Sequence, residues 1–233
     1  MKKQNEWEEL AGQATIIQDA KNKVINGNLL IAVKEASGNN KNVNIFDYGC
    51  GWGEWADILK KNGYKNIEAY DEADEMVDQA IAKFGDSVKF YHREIFKSNI
   101  REYSKKYDIV TSNLVLCILD KAKQVEMLEC IKTILKDDGT MVISFCHPCF
   151  DYHKESVVSV RKAPEGAKYD DEFEYEKQIK ENGIAFHDMH RSLSYYSKLF
   201  KENSLSILEI IESDVLESQF YPDFITFILK KKS

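Results

Sequence analysis

A chain of 233 residues with 43% apolar content can build one substantial core, alone or carrying an inserted subdomain. Lysine and arginine number 32 against 39 aspartates and glutamates, a net charge of −7, so no overall positive field draws the chain to nucleic-acid backbones or anionic lipid. The charged start MKKQNEWEEL lacks the apolar stretch of a signal peptide, no apolar run approaches a membrane span, and the five cysteines (Cys50, Cys117, Cys130, Cys146, Cys149) are too scattered for a disulfide framework. A cytoplasmic protein with reduced, mostly buried thiols is expected.

In chain order, the first apolar run is VNIFDY (43–48), followed by a helical pattern from Glu54 to Asn62 with Trp55, Ile58 and Leu59 on one face and Gly63 as its stop. NIEAY (66–70) is the second strand, and Asp74 to Phe84 the next helix, carrying Met76, Val77, Ala80 and Ile81 and ending before Gly85. VKFYH (88–92) and YDIVTS (107–112) follow, then an apolar stripe of Val125, Leu128, Ile131, Ile134 and Leu135 between Lys121 and Lys136, then TMVISF (140–145). Strands alternating with helices imply a parallel sheet covered on both faces. After Pro148 the chain is rich in charge and tyrosine without clean periodicity, so 150–190 reads as an insertion or lid. Order returns with an amphipathic segment from Ser194 to Asn203 and two strands, LSILEIIES (205–213) and FITFIL (224–229), expected to pair antiparallel because no crossover helix separates them.

The first strand runs into Asp47-x-Gly49-Cys50-Gly51-x-Gly53, glycines at alternate positions before a helix. Such a loop sets bare backbone beside the positive end of a helix, where a ligand can approach closely. The dinucleotide fingerprint would need glycine at position 54, where Glu54 stands, and the phosphate loop would need a Gly-Lys-Ser/Thr that the chain lacks.

The glycine stretch resembles the first motif of the class I S-adenosylmethionine-dependent methyltransferases. The similarity continues in order: Asp71 in AYDEADEM, Glu94 and Ile95 in FYHREIF, the fourth-strand stretch YDIVTSNLVLCIL, and LKDDGTMVISFCHPCF as glycine turn and fifth strand. An HP after strand five and a later HRSLSYY resemble a subset of small-molecule methyltransferases. Two positions depart from the pattern: Asp137-Asp138-Gly139 stands where the family often has Pro-Gly-Gly, and Cys117 where histidine is frequent. Neither touches the cofactor loop.

The resemblance implies a Rossmann-like α/β fold: seven strands, mostly parallel, helices on both faces, the last strand antiparallel, and a lid after strand five. It divides one methyltransferase domain into an N-terminal helical cap (1–40), a cofactor-binding core (41–149), a lid or substrate insertion (150–190) and a C-terminal helix with antiparallel strands (191–233). It places S-adenosyl-L-methionine against Asp47, Gly49, Cys50, Gly51, Trp52, Gly53, Asp71, Glu72, Met76, Glu94, Ile95, Phe96 and Asn113. Asp71, about twenty residues beyond the glycine loop, would accept the ribose hydroxyls, as an acidic residue there does in nucleotide-binding α/β proteins. Asp74 has the better spacing for capping the following helix.

Transfer from a sulfonium needs little beyond positioning a nucleophile, excluding water and removing a proton. Histidine suits the last task, which makes His147, His187 and His190 catalytic candidates; His147 leads because it follows strand five at the edge where open α/β sheets bind ligands. Each of the three can equally be a structural, hydrogen-bonded histidine. Tyr152 and Tyr195 could line an aromatic acceptor pocket, and Arg191 could grip an anionic group or pair with a lid carboxylate. A single Cys146-x-x-Cys149 is weak grounds for zinc, so no metal is expected.

The implied activity is methyl transfer to an oxygen or nitrogen of a small molecule. The alternatives are an RNA or protein methyltransferase and a non-catalytic cofactor-binding protein. SNLVLC (112–117) lacks the Asn/Asp-Pro-Pro-aromatic motif of nucleic-acid amino-methyltransferases, and a 150–190 segment too large for a mere connection favours catalysis.

Overall fold

Asn44–Tyr48 (β1), Asn66–Tyr70 (β2), Lys89–Tyr91 (β3) and Tyr107–Asn113 (β4) are short, mostly buried strands whose β-branched and aromatic residues suit a sheet covered on both sides. They belong to a computed structural model that describes residues 20–149, 155–156, 159–180, 183, 185–215 and 220–232, with side chains from Val24 onward. Between and after them lie helices α1 (Ala20–Ala36), α2 (Glu54–Lys61), α3 (Asp74–Phe84), α4 (Arg93–Ser98), α5 (Lys121–Ile134) and α6 (Leu193–Glu202), and strands β5 (Leu135–Cys146), β6 (Ser159–Lys162), β7 (Phe173–Ile179), β8 (Ala185–His190), β9 (Leu205–Glu212) and β10 (Phe224–Lys231).

Seven strands form one sheet in the order β3-β2-β1-β4-β5-β10-β9. The first five are mutually parallel, and β10 alone runs against its neighbours, pairing antiparallel with β5 and β9. The order reverses between β1 and β4, so a crevice opens at their carboxyl ends, where ligands bind in open α/β sheets. One apolar cluster packs Leu29, Val33, Trp55, Leu59 and Val77 from α1 to α3 against one face. The other face carries Leu128, Ile131 and Phe200 from α5 and α6, with an aromatic stack in which Phe96 lies 5.0 Å from Phe46 and 4.4 Å from Tyr70.

Three features differ from the sequence expectation. The fifth strand begins at Leu135, not 140: Leu135 leaves the helical stripe to pair with Tyr107, and Gly139 fits because a Cβ there would lie 2.7 Å from the Leu135 side chain. The expected insertion contains strands that its sequence did not show: β6, β7 and β8 form a second, antiparallel sheet in the order β6-β7-β8. Asp74 does not cap α3, whose first residue it is; its carboxylate accepts the Arg93 N–H at 3.0 Å. Of the expected cap over 1–40, α1 is present and residues 1–19 lie outside the described residues. Among the described residues no helix is long and apolar enough to cross a membrane.

Candidate active site

Gly49, Gly51 and Gly53 all have positive φ (82°, 51° and 81°), a region L side chains avoid, but their surroundings differ. A Cβ on Gly49 would lie 2.3 Å from Val115 Cγ2, and one on Gly53 2.9 Å from Phe90 Cζ, so these two let the loop pack tightly on its neighbours. At Gly51 the nearest atom would be Met76 Sδ at 3.9 Å. Gly51 therefore keeps a space clear, while its flanking glycines close gaps. The loop is tied to the end of β2 because the N–H groups of Gly49 and Cys50 both donate to the Tyr70 carbonyl, at 2.8 and 2.9 Å.

Two carboxylates meet at this loop. Half-buried Asp71 accepts the Gly51 N–H at 2.7 Å on one oxygen and the Ala73 N–H at 2.9 Å on the other, so it organises both the glycine loop and the entry to α3. Asp71, rather than Asp74, takes the turn-stabilising role there. Burial raises its carboxyl above the usual range, against the lowering effect of the backbone N–H donors. Each oxygen keeps acceptor capacity beyond its one backbone bond.

Asp47 is only 1% exposed. Its Oδ1 accepts the Thr111 hydroxyl at 3.1 Å, and Thr111 in turn accepts the indole N–H of Trp55 at 3.1 Å. Burial, with the charge of Asp71 adding to it and the Thr111 bond opposing it, pushes the Asp47 carboxyl up to about 7. Asp47 Oδ2 is buried and has no hydrogen-bond partner among the described residues. The same holds for Trp52 Nε1, whose ring packs on Ala73 and Met76, and for Asn113 Oδ1 at the end of β4. Asn113 Nδ2 reaches Asn26 Oδ1 of α1 at 3.4 Å. Cys50 is buried, and burial first, then Asp71 and Asp47, hold its thiol well above its ordinary range.

The remaining expected cofactor positions are more dispersed. Glu72 accepts the Tyr70 hydroxyl at 2.6 Å and pairs with Lys97 at 2.9 Å; burial raises its carboxyl, but these two partners outweigh it and hold the group below the usual range. Glu94 and Ile95 are not at a strand end: β3 stops at Tyr91, and both are exposed on α4. Phe96, fully buried, points into the aromatic stack.

The second sheet sits over the carboxyl ends of β4 and β5. Arg191 donates to the Cys117 carbonyl at 3.2 Å, pairs with Glu172, and lies 5.2 Å over the Tyr195 ring, while Lys177 Nζ lies 3.0 Å from Cys146 Sγ, the last residue of β5. The Tyr195 hydroxyl donates to Gln124 at 2.6 Å, fixing α6 to α5. Arg191 thus ties the end of the second sheet to the turn after β4, and Tyr195 ties α6 to α5.

The histidines do not converge. His147 is 2% exposed; its Nδ1 accepts the Cys149 N–H at 3.1 Å, which leaves the proton on Nε2 to donate to Glu212 at 2.9 Å, so both ring nitrogens are engaged and Nε2 links the end of β5 to β9. His190 is buried, its Nε2 2.8 Å from the Tyr169 carbonyl and its ring stacked on Phe173. His187 is exposed, opposite Glu176 on β7. Tyr152 lies outside the described residues. Among the described residues no group of three or more histidine, cysteine or acidic side chains could hold a metal ion.

Sequence reasoning missed Thr111, Val115 and Asn26, which shape the loop from strands and helices far away in the chain, and Ala73, whose N–H binds Asp71. Thr111 was findable in principle, as a polar residue inside the fourth apolar strand.

Residues 25–198 match the family model described as Methyltransferase domain. The chain belongs to that family. Solved structures similar to this methyltransferase include an S-adenosylmethionine-dependent methyltransferase of Clostridium acetobutylicum, at 17% identity and TM-score 0.63, covering 91% of this chain and 96% of the other. The CcbJ methyltransferase of Streptomyces caelestis is similar at 15% identity and TM-score 0.62, over 91% and 90% of the two chains. A Burkholderia thailandensis 1,6-didemethyltoxoflavin-N1-methyltransferase, solved with 1,6-didemethyltoxoflavin and S-adenosylhomocysteine bound, is similar at 12% identity and TM-score 0.61, over 99% and 87%. At these identities the likeness is one of fold, and it covers the methyltransferase almost end to end. Among curated proteins no sequence matches.

Proposed function

We propose that this methyltransferase moves a methyl group from S-adenosyl-L-methionine to an oxygen or nitrogen of a small-molecule acceptor. The observation that carries the reading is the set of unmatched buried polar atoms on β1, in the glycine loop and at the end of β4. Asp47 Oδ2 and Asn113 Oδ1 are acceptors, and Trp52 Nε1 is a donor. A buried polar atom without a partner is costly, and such atoms mark places where a ligand completes the hydrogen bonding. The amino-acid end of the cofactor offers the complement, an ammonium for the two acceptors and a carboxylate for the donor. Space above Gly51 admits its main chain, and Asp71 keeps lone pairs for the two ribose hydroxyls.

Once bound, the cofactor supplies a methyl group already activated by its sulfonium. What the protein adds is placement and exclusion of water. The second sheet, fixed to the turn after β4 through Arg191 and to the end of β5 through Lys177, roofs the crevice where an acceptor must enter. No histidine is assigned as base: both ring nitrogens of His147 are engaged, His190 is buried against Tyr169 and Phe173, and His187 lies exposed on the second sheet.

The acceptor class is tested by incubating the protein with methyl-labelled cofactor and, separately, a metabolite extract, transfer RNA and total protein. Label in the small-molecule fraction is expected; label confined to RNA or protein overturns the acceptor assignment.

A further inference from the structure

The sheet face that packs on α1 to α3 turns polar as it nears the crevice. Ile45 and Ile109 are register partners on β1 and β4 and both lie in the apolar cluster of that face; two residues on, the same face carries Asp47 opposite Thr111. Both are at most 1% exposed. Valine has nearly the shape of threonine and suits a buried central strand better, because a hydroxyl there is costly unless it is bonded. The presence of threonine is therefore explained by what its hydroxyl bonds.

Those bonds have a fixed sense. An indole N–H can only donate, so Thr111 Oγ1 accepts from Trp55 Nε1 at 3.1 Å, and the one hydroxyl proton is left for an oxygen. Two oxygens are in reach, Asp47 Oδ1 at 3.1 Å and the Phe46 carbonyl at 3.4 Å. The carboxyl oxygen is the nearer and, when ionised, the stronger acceptor. A chain of donors thus runs from α2 through β4 to β1 and ends on one oxygen of Asp47. The other, Oδ2, is the buried oxygen without a partner among the described residues. A carboxylate turns readily about its terminal torsion unless a bond holds it, and the Thr111 bond also favours its ionised form.

We propose that Thr111 and Trp55 are positioning residues, whose relay holds Asp47 with Oδ2 presented to the ammonium at the amino-acid end of the cofactor. The inference rests on the methyltransferase reading above and deepens it, by separating the group that meets the ligand from the two that aim it. Asp47 stands at the glycine loop, within electrostatic reach of Asp71 and of Cys50. Thr111 and Trp55 act through it and need not touch the ligand.

Isothermal titration of the full chain with S-adenosylhomocysteine and with methylthioadenosine tests the relay, because the second ligand keeps the adenosine and the sulfur but has no ammonium. Thr111→Val should bind S-adenosylhomocysteine about tenfold more weakly than wild type, the effect of one charge-assisted hydrogen bond, and methylthioadenosine equally well. Thr111→Ser, which keeps the hydroxyl, should bind both ligands as wild type does, and Trp55→Phe should lose affinity for S-adenosylhomocysteine alone. Thermal unfolding checks that each variant is folded. The relay is refuted if Thr111→Val keeps its affinity for S-adenosylhomocysteine, if it loses affinity for both ligands equally, or if Thr111→Ser loses as much as Thr111→Val; the cofactor assignment then stands. Where wild type binds methylthioadenosine too weakly to titrate, the contrast between the valine and serine variants decides. If wild type does not bind S-adenosylhomocysteine, the methyltransferase reading fails instead.

Discussion

Asp47 carries a carboxyl pushed up to about 7 by burial, whereas in the unfolded chain it titrates at about 3.9. The native state therefore holds its proton over a pH range in which the unfolded state has released it. By linkage, this group's contribution to stability falls as pH rises from about 4 to about 7 and is level above that. Asp47→Asn removes the penalty. The variant's thermal midpoint should match wild type near pH 4 and exceed it by a gap that grows to about pH 7, while its affinity for S-adenosylmethionine falls. A variant less stable than wild type at pH 8 would contradict this.

The glycines separate two effects that sequence alone merges. Gly49→Ala must strain a positive φ, costing about 1–2 kcal/mol, and overlap Val115, costing about 1–3 kcal/mol more, so chemical denaturation should show a clear loss of stability. Gly51→Ala meets only the φ cost and enters open space, so calorimetry should show its affinity for the cofactor falling further than its stability. Equal effects at both positions would remove the distinction. In the sequence, Gly49 and Gly51 are equivalent members of one motif; Val115, which separates them, is contributed by the turn after β4.

Elements were legible where burial is apolar on a regular period. Asp74–Phe84 follows its predicted span, and α2, with Trp55 and Leu59 buried, ends one residue short of expectation. β6 to β8 escaped because their inward positions include Arg161, Lys177, Asp188 and His190, so the alternation of burial is present but the alternation of hydropathy is not. Glu94 and Ile95 were displaced for a related reason: β3 is three residues long, and α4 starts where the strand was expected to end. The docking of the second sheet is an element-scale property carried by few contacts. Arg191→Ala removes the bond to Cys117 and leaves Glu172 without this partner, so limited proteolysis should cut within 159–190 sooner, with S-adenosylhomocysteine affinity little changed. Unchanged cleavage would mean the sheet is held by other contacts.

For the whole molecule, strand order and the site go together. Reversal between β1 and β4 opens the crevice, apolar clusters on both faces make the frame rigid, and the glycine loop, Asp71 and Asn113 come from three strand ends around it. The frame can be weakened without touching the site. Phe96→Ala, in the aromatic stack, should cost about 3–5 kcal/mol of stability and leave the affinity of the folded protein for the cofactor near wild type. A large loss of affinity would instead place Phe96 at the ligand. The class of fold was readable from strand and helix alternation and the order of motifs, whereas the closing of the site by α1, the turn after β4 and the second sheet depends on contacts between distant segments.

The central claim is that the loop between β1 and α2 and the carboxylate of Asp71 hold S-adenosylmethionine. Isothermal titration of wild type and Asp71→Ala with S-adenosylhomocysteine tests it most directly. Saturable heat with wild type, and affinity at least about tenfold weaker in the variant, equivalent to about 1.4 kcal/mol, is the predicted result. Absence of heat with wild type, or equal affinity in the two proteins, would contradict it.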